Sequence, residues 1–208
     1  MANQAKAPPK GAKPSFGVFV GRFQPLHLGH EHTLRHALDR VERLIILIGS
    51  ANVARDPRNP FTFEERAAMI RSSFAYEVAE GRVIIEPLDD HLYSDTAWMA
   101  EVQRRVHAIV LDVGNGGGFR ASGLADFRIA LTGFGCDSSS YYLKLFPEWE
   151  NIQVDSAYAT FHATDIRARY FQRLPEVPTS ALSKGVAEQL AAAGQRAAGA
   201  AGRVCRTR

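Results

Sequence analysis

The sequence predicts an α/β fold: a doubly wound parallel sheet of about five strands with helices on both faces. Three observations carry that expectation. Short apolar runs alternate along the chain with segments of helical periodicity. The run Leu44-Ile45-Ile46-Leu47-Ile48 is apolar throughout, as suits a strand buried on both faces. The first apolar run, Phe16-Gly17-Val18-Phe19-Val20, passes through a glycine-containing turn directly into an amphipathic segment.

The first strand is expected at Phe16 to Val20, and the helix after His30 sets Leu34, Ala37, Leu38 and Val41 on one stripe. The second strand, Leu44 to Ile48, ends in the small residues Gly49-Ser50-Ala51. In Asn59-Pro60-Phe61-Thr62-Phe63-Glu64-Glu65-Arg66, Thr62 and Glu65 have capping-box spacing, and Phe63, Ala67, Ile70 and Phe74 continue at helical spacing. Val83-Ile84-Ile85 reads as the third strand. Ser94 or Asp95 caps a helix that turns Met99, Val102, Val106 and Ile109 to the core. Gly114-Asn115-Gly116-Gly117-Gly118 reads as a flexible loop, since it lacks the GK[ST] ending of a phosphate loop. Phe127 to Leu131 is expected as the fourth strand, Ser138 to Phe146 as a short helix, and Ile152 to Val154 as the fifth strand. A last helix is expected from Ser180 to Leu190.

A chain of 208 residues, 46% hydrophobic and 23% charged, suits one globular domain with a sizeable core. Its expected limits are residues 15–190, between a disordered basic tail (1–14) and a low-complexity tail (191–208). No run approaches the ~20 consecutive apolar residues of a membrane span, and the N-terminal stretch has no apolar core for a signal peptide. Cys136 and Cys205 form neither a CxxC nor a disulfide framework, which points to a cytoplasmic protein. The net charge of +3 comes partly from the tails, through Lys6, Lys10, Lys13, Arg203, Arg206 and Arg208. Other basic residues fall inside motifs suited to phosphate, so a small polyanion is expected as partner rather than a nucleic acid or a membrane.

The chemistry concentrates in Gly21-Arg22-Phe23-Gln24-Pro25-Leu26-His27-Leu28-Gly29-His30. Its place between strand and helix is where an α/β protein binds phosphate, because unpaired N–H groups and the helix dipole face an anion there. His27 and His30 add side-chain donors, and Gly29 allows the backbone to approach closely. Arg22 and Gln24 lie where the first strand ends; Arg22 suits a phosphate, while Gln24 suits either a ligand or the turn itself.

This stretch resembles the GRFQPxHxGH form of the HxGH nucleotidyltransferase superfamily, and in particular the nicotinamide mononucleotide (NMN) adenylyltransferases. Three further stretches are similar to theirs. Thr160-Phe161-His162-Ala163-Thr164-Asp165-Ile166-Arg167 resembles the second signature, ISSTxIR, with His162 and Ala163 in place of the usual hydroxyl pair. Asn59-Pro60-Phe61-Thr62 with Glu65 and Arg66 resembles NPFTxxER, and the run from Asp137 to Pro147 resembles the Nudix-fused branch of the family.

The resemblance implies a Rossmann-like sheet and attack of NMN on the α-phosphate of ATP, with Mg²⁺, giving NAD and pyrophosphate. It implies catalytic roles for His27, His30 and Arg167, and ATP-phosphate contacts from Arg22, Gly29 and Thr164, the last as a helix N-cap. Thr132 and Gly133, at the end of the fourth strand, are implied as an adenine pocket. Trp98, Arg66 and Asn59 are implied on the NMN side, with Trp98 stacked on the nicotinamide ring. No protein-held metal and a homo-oligomer are expected. No Nudix box, G-x5-E-x7-R-E-x2-E-E, is present, so no hydrolysis of ADP-ribose is expected. Other acceptors, nicotinate mononucleotide or phosphopantetheine, stay open; a non-catalytic nucleotide sensor is the alternative class.

Overall fold

The sheet consists of β1 (Phe16–Gly21), β2 (Arg43–Ile48), β3 (Val83–Pro87), β4 (Ile129–Gly133) and β5 (Glu150–Gln153) in a computed structural model. The residues it describes are 13–91, 93–116, 124, 127–133, 142–154, 162–171 and 181–191. Strand order is β3-β2-β1-β4-β5, and every neighbouring pair is parallel. Val18 on β1 stands beside Ile45 on β2 and Leu131 on β4. The chain moves outward one way from β1 to β3 and the other way from β4 to β5. The switch point is therefore between β1 and β4, and a crevice opens outside the C-terminal ends of those strands.

The helices are α1 (Leu28–Leu38), α2 (Phe63–Ser73), α3 (Ala75–Ala79), α4 (Asp95–Gly116) and α5 (Ala163–Phe171), and residues 184–191 are also helical. Strand alternation divides the core in two. Leu44, Ile46 and Ile48 of β2 join Leu34, Leu38, Ile70, Phe74, Val186 and Leu190 on one side. Ile45 and Leu47 join Val18, Val102, Val106, Val110, Leu131 and Phe146 on the other. Both faces of β2 are dry, which accounts for its unbroken apolar run.

The expected capping box on α2 is present: Thr62 accepts from the Glu65 N–H, and Glu65 accepts from the Thr62 N–H. Ser94 caps α4 through its hydroxyl, which accepts from the Ala97 N–H at 3.2 Å.

Several boundaries differ from the sequence expectation: α1 begins at Leu28 and so includes His30, and the last helix runs over residues 184–191. β4 runs from Ile129 to Gly133 rather than Phe127 to Leu131. Phe127 is held in a turn by Leu124, and its ring meets Phe16 edge-on at 5.7 Å, so it covers the strand's start instead of joining it. β5 begins at Glu150, whose carboxylate accepts from Arg128 Nε at 2.6 Å and Nη2 at 2.7 Å and so pins the edge strand there. α4 extends through Gly116, so Gly114 to Gly116 are helical and not a loop. The apolar stripe of Val102, Val106 and Val110 continues to Val113, which draws the helix onward.

Pro14 is buried and its carbonyl accepts from the Glu42 N–H at 3.1 Å, so packing begins just before the expected domain limit. The expected tails beyond 13 and 191, Gly117, Gly118 and the segment Ser138 to Tyr141 lie outside the described residues. Among the described residues no helix is long and apolar enough to cross a membrane.

Candidate active site

β1 delivers the chain to the switch point and α1 starts there. His27 is the N-cap of α1: its backbone is extended (φ −144, ψ 168) and its Nδ1 accepts from the His30 N–H at 3.3 Å. The two imidazoles stack with centroids 3.7 Å apart, and Phe23 closes on His30 at 4.9 Å. Gly29, between them, is buried in the first turn, and its carbonyl accepts from Thr33 Oγ1 at 2.9 Å. His30 Nδ1 is buried and has no hydrogen-bond partner.

Burial pushes the His27 imidazole down to about 4, and the facing His162 pushes it the same way. His30 lies well below the ordinary histidine value, through burial first and then through His27. Both rings are therefore neutral at pH 7 in the protein alone. A polyanion bound beside them would favour the charged form.

Beside this helix start lies an open cleft of about 480 Å³, lined by Arg22, Pro57, Arg58, Thr164, Arg167, Ala168 and Phe171. Arg167 reaches in from α5, donating from Nη1 to the Gln24 carbonyl at 2.8 Å and from Nη2 to Thr164 Oγ1 at 3.1 Å. Burial and then the neighbouring Arg22 charge lower the Arg167 guanidinium below its ordinary value, while Asp56 acts in the opposite sense. Cations gathered against their own repulsion, with a hydroxyl among them, have the chemistry that suits a polyanion.

Thr164 is not the expected N-cap. α5 begins at Ala163, and the His162 carbonyl receives the N–H groups of Asp165 and Ile166 at 3.0 and 3.4 Å. Thr164 sits in the first turn, exposed, with its hydroxyl on Arg167.

Arg66 is far from open to a ligand. It is 1% exposed, and its guanidinium donates to the carbonyls of Thr62 (3.1 Å), Arg22 (2.8 Å), Gly49 (2.6 Å) and Ser50 (3.1 Å). Burial lowers it to about 10, so it is still charged at pH 7. It clamps the ends of β1 and β2 to α2. Gln24 takes the turn role: its buried amide pairs with both the N–H and the carbonyl of Phe61 at 3.0 Å. Phe23 (φ +50) and Ser50 (φ +52) are left-handed in the clamped loops, a strained conformation for residues with a side chain.

Asn59 donates to the Asp56 carboxylate at 3.3 and 3.4 Å, and its Oδ1 is buried without a partner. Trp98, in the first turns of α4, is half-buried, 6.4 Å from the Tyr142 ring and 6.3 Å from Phe146. At the end of β4, Thr132 is fully buried with an unpartnered hydroxyl, and its carbonyl accepts from the Tyr142 hydroxyl at 3.2 Å. A Cβ on Gly133 would come within 2.7 Å of that hydroxyl. The space the sequence reading gives to adenine beside Gly133 is thus filled by Tyr142.

Sequence reasoning missed Arg58, which lines the same cleft as Arg167. The available signal was its place immediately before Asn59-Pro60-Phe61-Thr62. Among the described residues no group of three His, Cys, Asp or Glu could hold a metal ion.

Fold and site together define a doubly wound α/β nucleotide-binding protein with a histidine pair and an arginine cleft at its switch point. The cytidylyltransferase-like family model matches residues 18–169, and the chain belongs to that family. A nicotinamide/nicotinic acid mononucleotide adenylyltransferase of Acinetobacter baylyi is 36% identical over 155 residues, 74% of each chain. A nicotinamide-nucleotide adenylyltransferase of Saccharolobus solfataricus is 43% identical over 82 residues, 39% of this chain and 48% of its own. A bifunctional NMN adenylyltransferase/ADP ribose pyrophosphatase of Francisella tularensis, solved with AMP and manganese, superposes with a TM-score of 0.64 at 29% identity. That match covers 86% of this chain and 52% of the other, so this chain spans about half of that bifunctional protein.

Proposed function

We propose that the chain transfers the adenylyl group of ATP to NMN, giving NAD and pyrophosphate. The observation that carries this reading is the juxtaposition of the His27–His30 helix start with the cleft of Arg22, Arg58, Thr164 and Arg167. An oxygen of the NMN phosphate forms a bond to the α-phosphorus, and the bond from that phosphorus to the pyrophosphate leaving group breaks. The attacking oxygen is already anionic, so no protein nucleophile is needed, and the protein's work is alignment and stabilisation of charge.

In this reading His27, His30 and the first turn of α1, which holds Gly29, face the α-phosphate. Arg22, Arg58, Thr164 and Arg167 hold the β- and γ-phosphates and receive the pyrophosphate. Negative charge arriving beside the two neutral imidazoles favours their protonation, which strengthens their donors as charge builds on the leaving group. Trp98 supplies an indole ring for the cationic nicotinamide, and Asn59 Oδ1, buried without a partner, is an acceptor for NMN. Thr132 and Gly133 back the adenine side through Tyr142. Arg66 contributes by holding the loops.

Arginines, a threonine and histidines are poor ligands for a hard divalent cation, so magnesium enters as MgATP, on phosphate oxygens. The name of the Acinetobacter relative covers both the nicotinamide and nicotinic acid nucleotides, so nicotinate mononucleotide is the acceptor to compare. The reading places the enzyme in the cytoplasm as a homo-oligomer, a state that sedimentation measures. His30→Ala tests the chemistry: turnover falls by about 10²–10³ while ATP binding persists. A variant that turns over at the wild-type rate would refute the role of the pair.

A further inference from the structure

The loop between β2 and α2 is built around a residue that the reaction itself does not use. Asp56 Oδ1 accepts from the N–H of Arg58 at 2.6 Å and of Asn59 at 2.7 Å, and the Asn59 side chain binds the same carboxylate. The Asp56 N–H and carbonyl also pair with the carbonyl and N–H of Asn59, at 3.3 and 3.1 Å. Residues 56–59 therefore form a closed turn whose centre is one exposed carboxylate. The turn has a fixed base. Arg55 donates to the Pro60 carbonyl at 2.6 Å and pairs with Glu65 at 2.9 Å, which ties it to the N-terminus of α2.

Arg58 of this turn lines the cleft together with Arg167 and Arg22. Its neighbour Pro57 cannot donate an N–H, so the Arg58 and Asn59 groups that Asp56 accepts are the next backbone donors available. Asp56 also interacts electrostatically with both Arg58 and Arg167. A long arginine on an untethered surface loop would lose much of its phosphate affinity to ordering entropy.

We infer that Asp56 is a positioning residue for triphosphate binding: its carboxylate closes the 56–59 turn and so presents the Arg58 guanidinium to the cleft. Substrate does not touch Asp56 in this account; the residue acts only through Arg58. The inference rests on the reading of the cleft as the site of the ATP β- and γ-phosphates.

The test uses the full chain and inorganic tripolyphosphate as probe, with Asp56→Ala, Asp56→Asn, Arg58→Ala and the Asp56→Ala/Arg58→Ala pair. Calorimetry reads the dissociation constant, and thermal unfolding of each variant controls for folding. Asp56→Ala weakens tripolyphosphate about tenfold, the size of one charge-assisted hydrogen bond. Asp56→Asn keeps an oxygen that can accept both N–H groups and restores binding to within about threefold of wild type. The double variant is no weaker than Arg58→Ala alone. In turnover assays the Asp56→Ala effect appears in KM for ATP and not in kcat. Unchanged affinity in Asp56→Ala, effects that add in the double variant, or an Asp56→Asn as weak as Asp56→Ala would each overturn the inference. Failure of the wild type to bind tripolyphosphate would also overturn it. Wild-type binding of tripolyphosphate without acceptor-dependent turnover would leave the positioning role standing and remove only the adenylyl-transfer reading.

Discussion

Replacing Arg66 by Met keeps much of the side chain's volume and removes its guanidinium. The carbonyls of Arg22, Gly49 and Ser50 then lose a charged donor, two of them in fully buried bonds. Each buried carbonyl left without a donor costs about 1–3 kcal/mol. Part of this is returned, because the variant no longer takes a cation out of water, a cost visible in the lowering of Arg66 to about 10. The net expectation is a loss of about 3–5 kcal/mol, the usual range for breaking a buried charged network. For a domain of this size that corresponds to a fall in Tm of roughly 10 °C. Thermal and urea unfolding followed by circular dichroism measure it. A Tm within about 2 °C of wild type, with a raised KM for substrate, would refute the clamp and return Arg66 to the ligand.

The histidine pair makes stability depend on pH. Folded values below the unfolded value of 6.5 mean that the unfolded chain binds more protons, so stability is present above 6.5 and lost as pH falls toward about 4. For His27 alone the loss is roughly 3 kcal/mol, and His27→Gln/His30→Gln flattens the profile measured by urea unfolding between those limits. Arg58→Ala and Arg167→Ala each raise KM for ATP about tenfold or more. Arg167→Ala also lowers kcat, because Arg167 holds the Gln24 carbonyl beside the α1 start. Steady-state kinetics separate the two. Trp98→Leu raises KM for NMN about 3- to 30-fold and leaves KM for ATP unchanged, the difference expected for a lost cation–π contact.

The strands and helices nearest the site were legible because their signals are local. β1, α1, β2 and α2 each carry a complete pattern of apolar spacing, and the Thr62–Glu65 capping box specifies its own helix start. The His27–His30 pair was legible from its motif between strand and helix, but not its place in the helix: α1 starts at Leu28, which makes His27 the N-cap and sets His30 in the first turn. What could not be read depends on partners distant in sequence. An arginine in the first turn of a helix resembles a surface residue, and only the carbonyls of Arg22, Gly49 and Ser50 make Arg66 internal. Arg58 looks like loop filler until α5 brings Arg167 and Thr164 to the same cleft. Gly133 suggested open space, but the Tyr142 hydroxyl fills it. Thr164 has N-cap chemistry, yet α5 starts early enough to place it inside the first turn.

The central claim is that one site aligns ATP and a pyridine mononucleotide for direct transfer. Its most direct test is pyrophosphate release from MgATP, measured with NMN, with nicotinate mononucleotide, with phosphopantetheine and with no acceptor. The account predicts release that depends on NMN and matches NAD formation one for one. Equal release with and without acceptor, or ATP binding with no release for any acceptor, would contradict it.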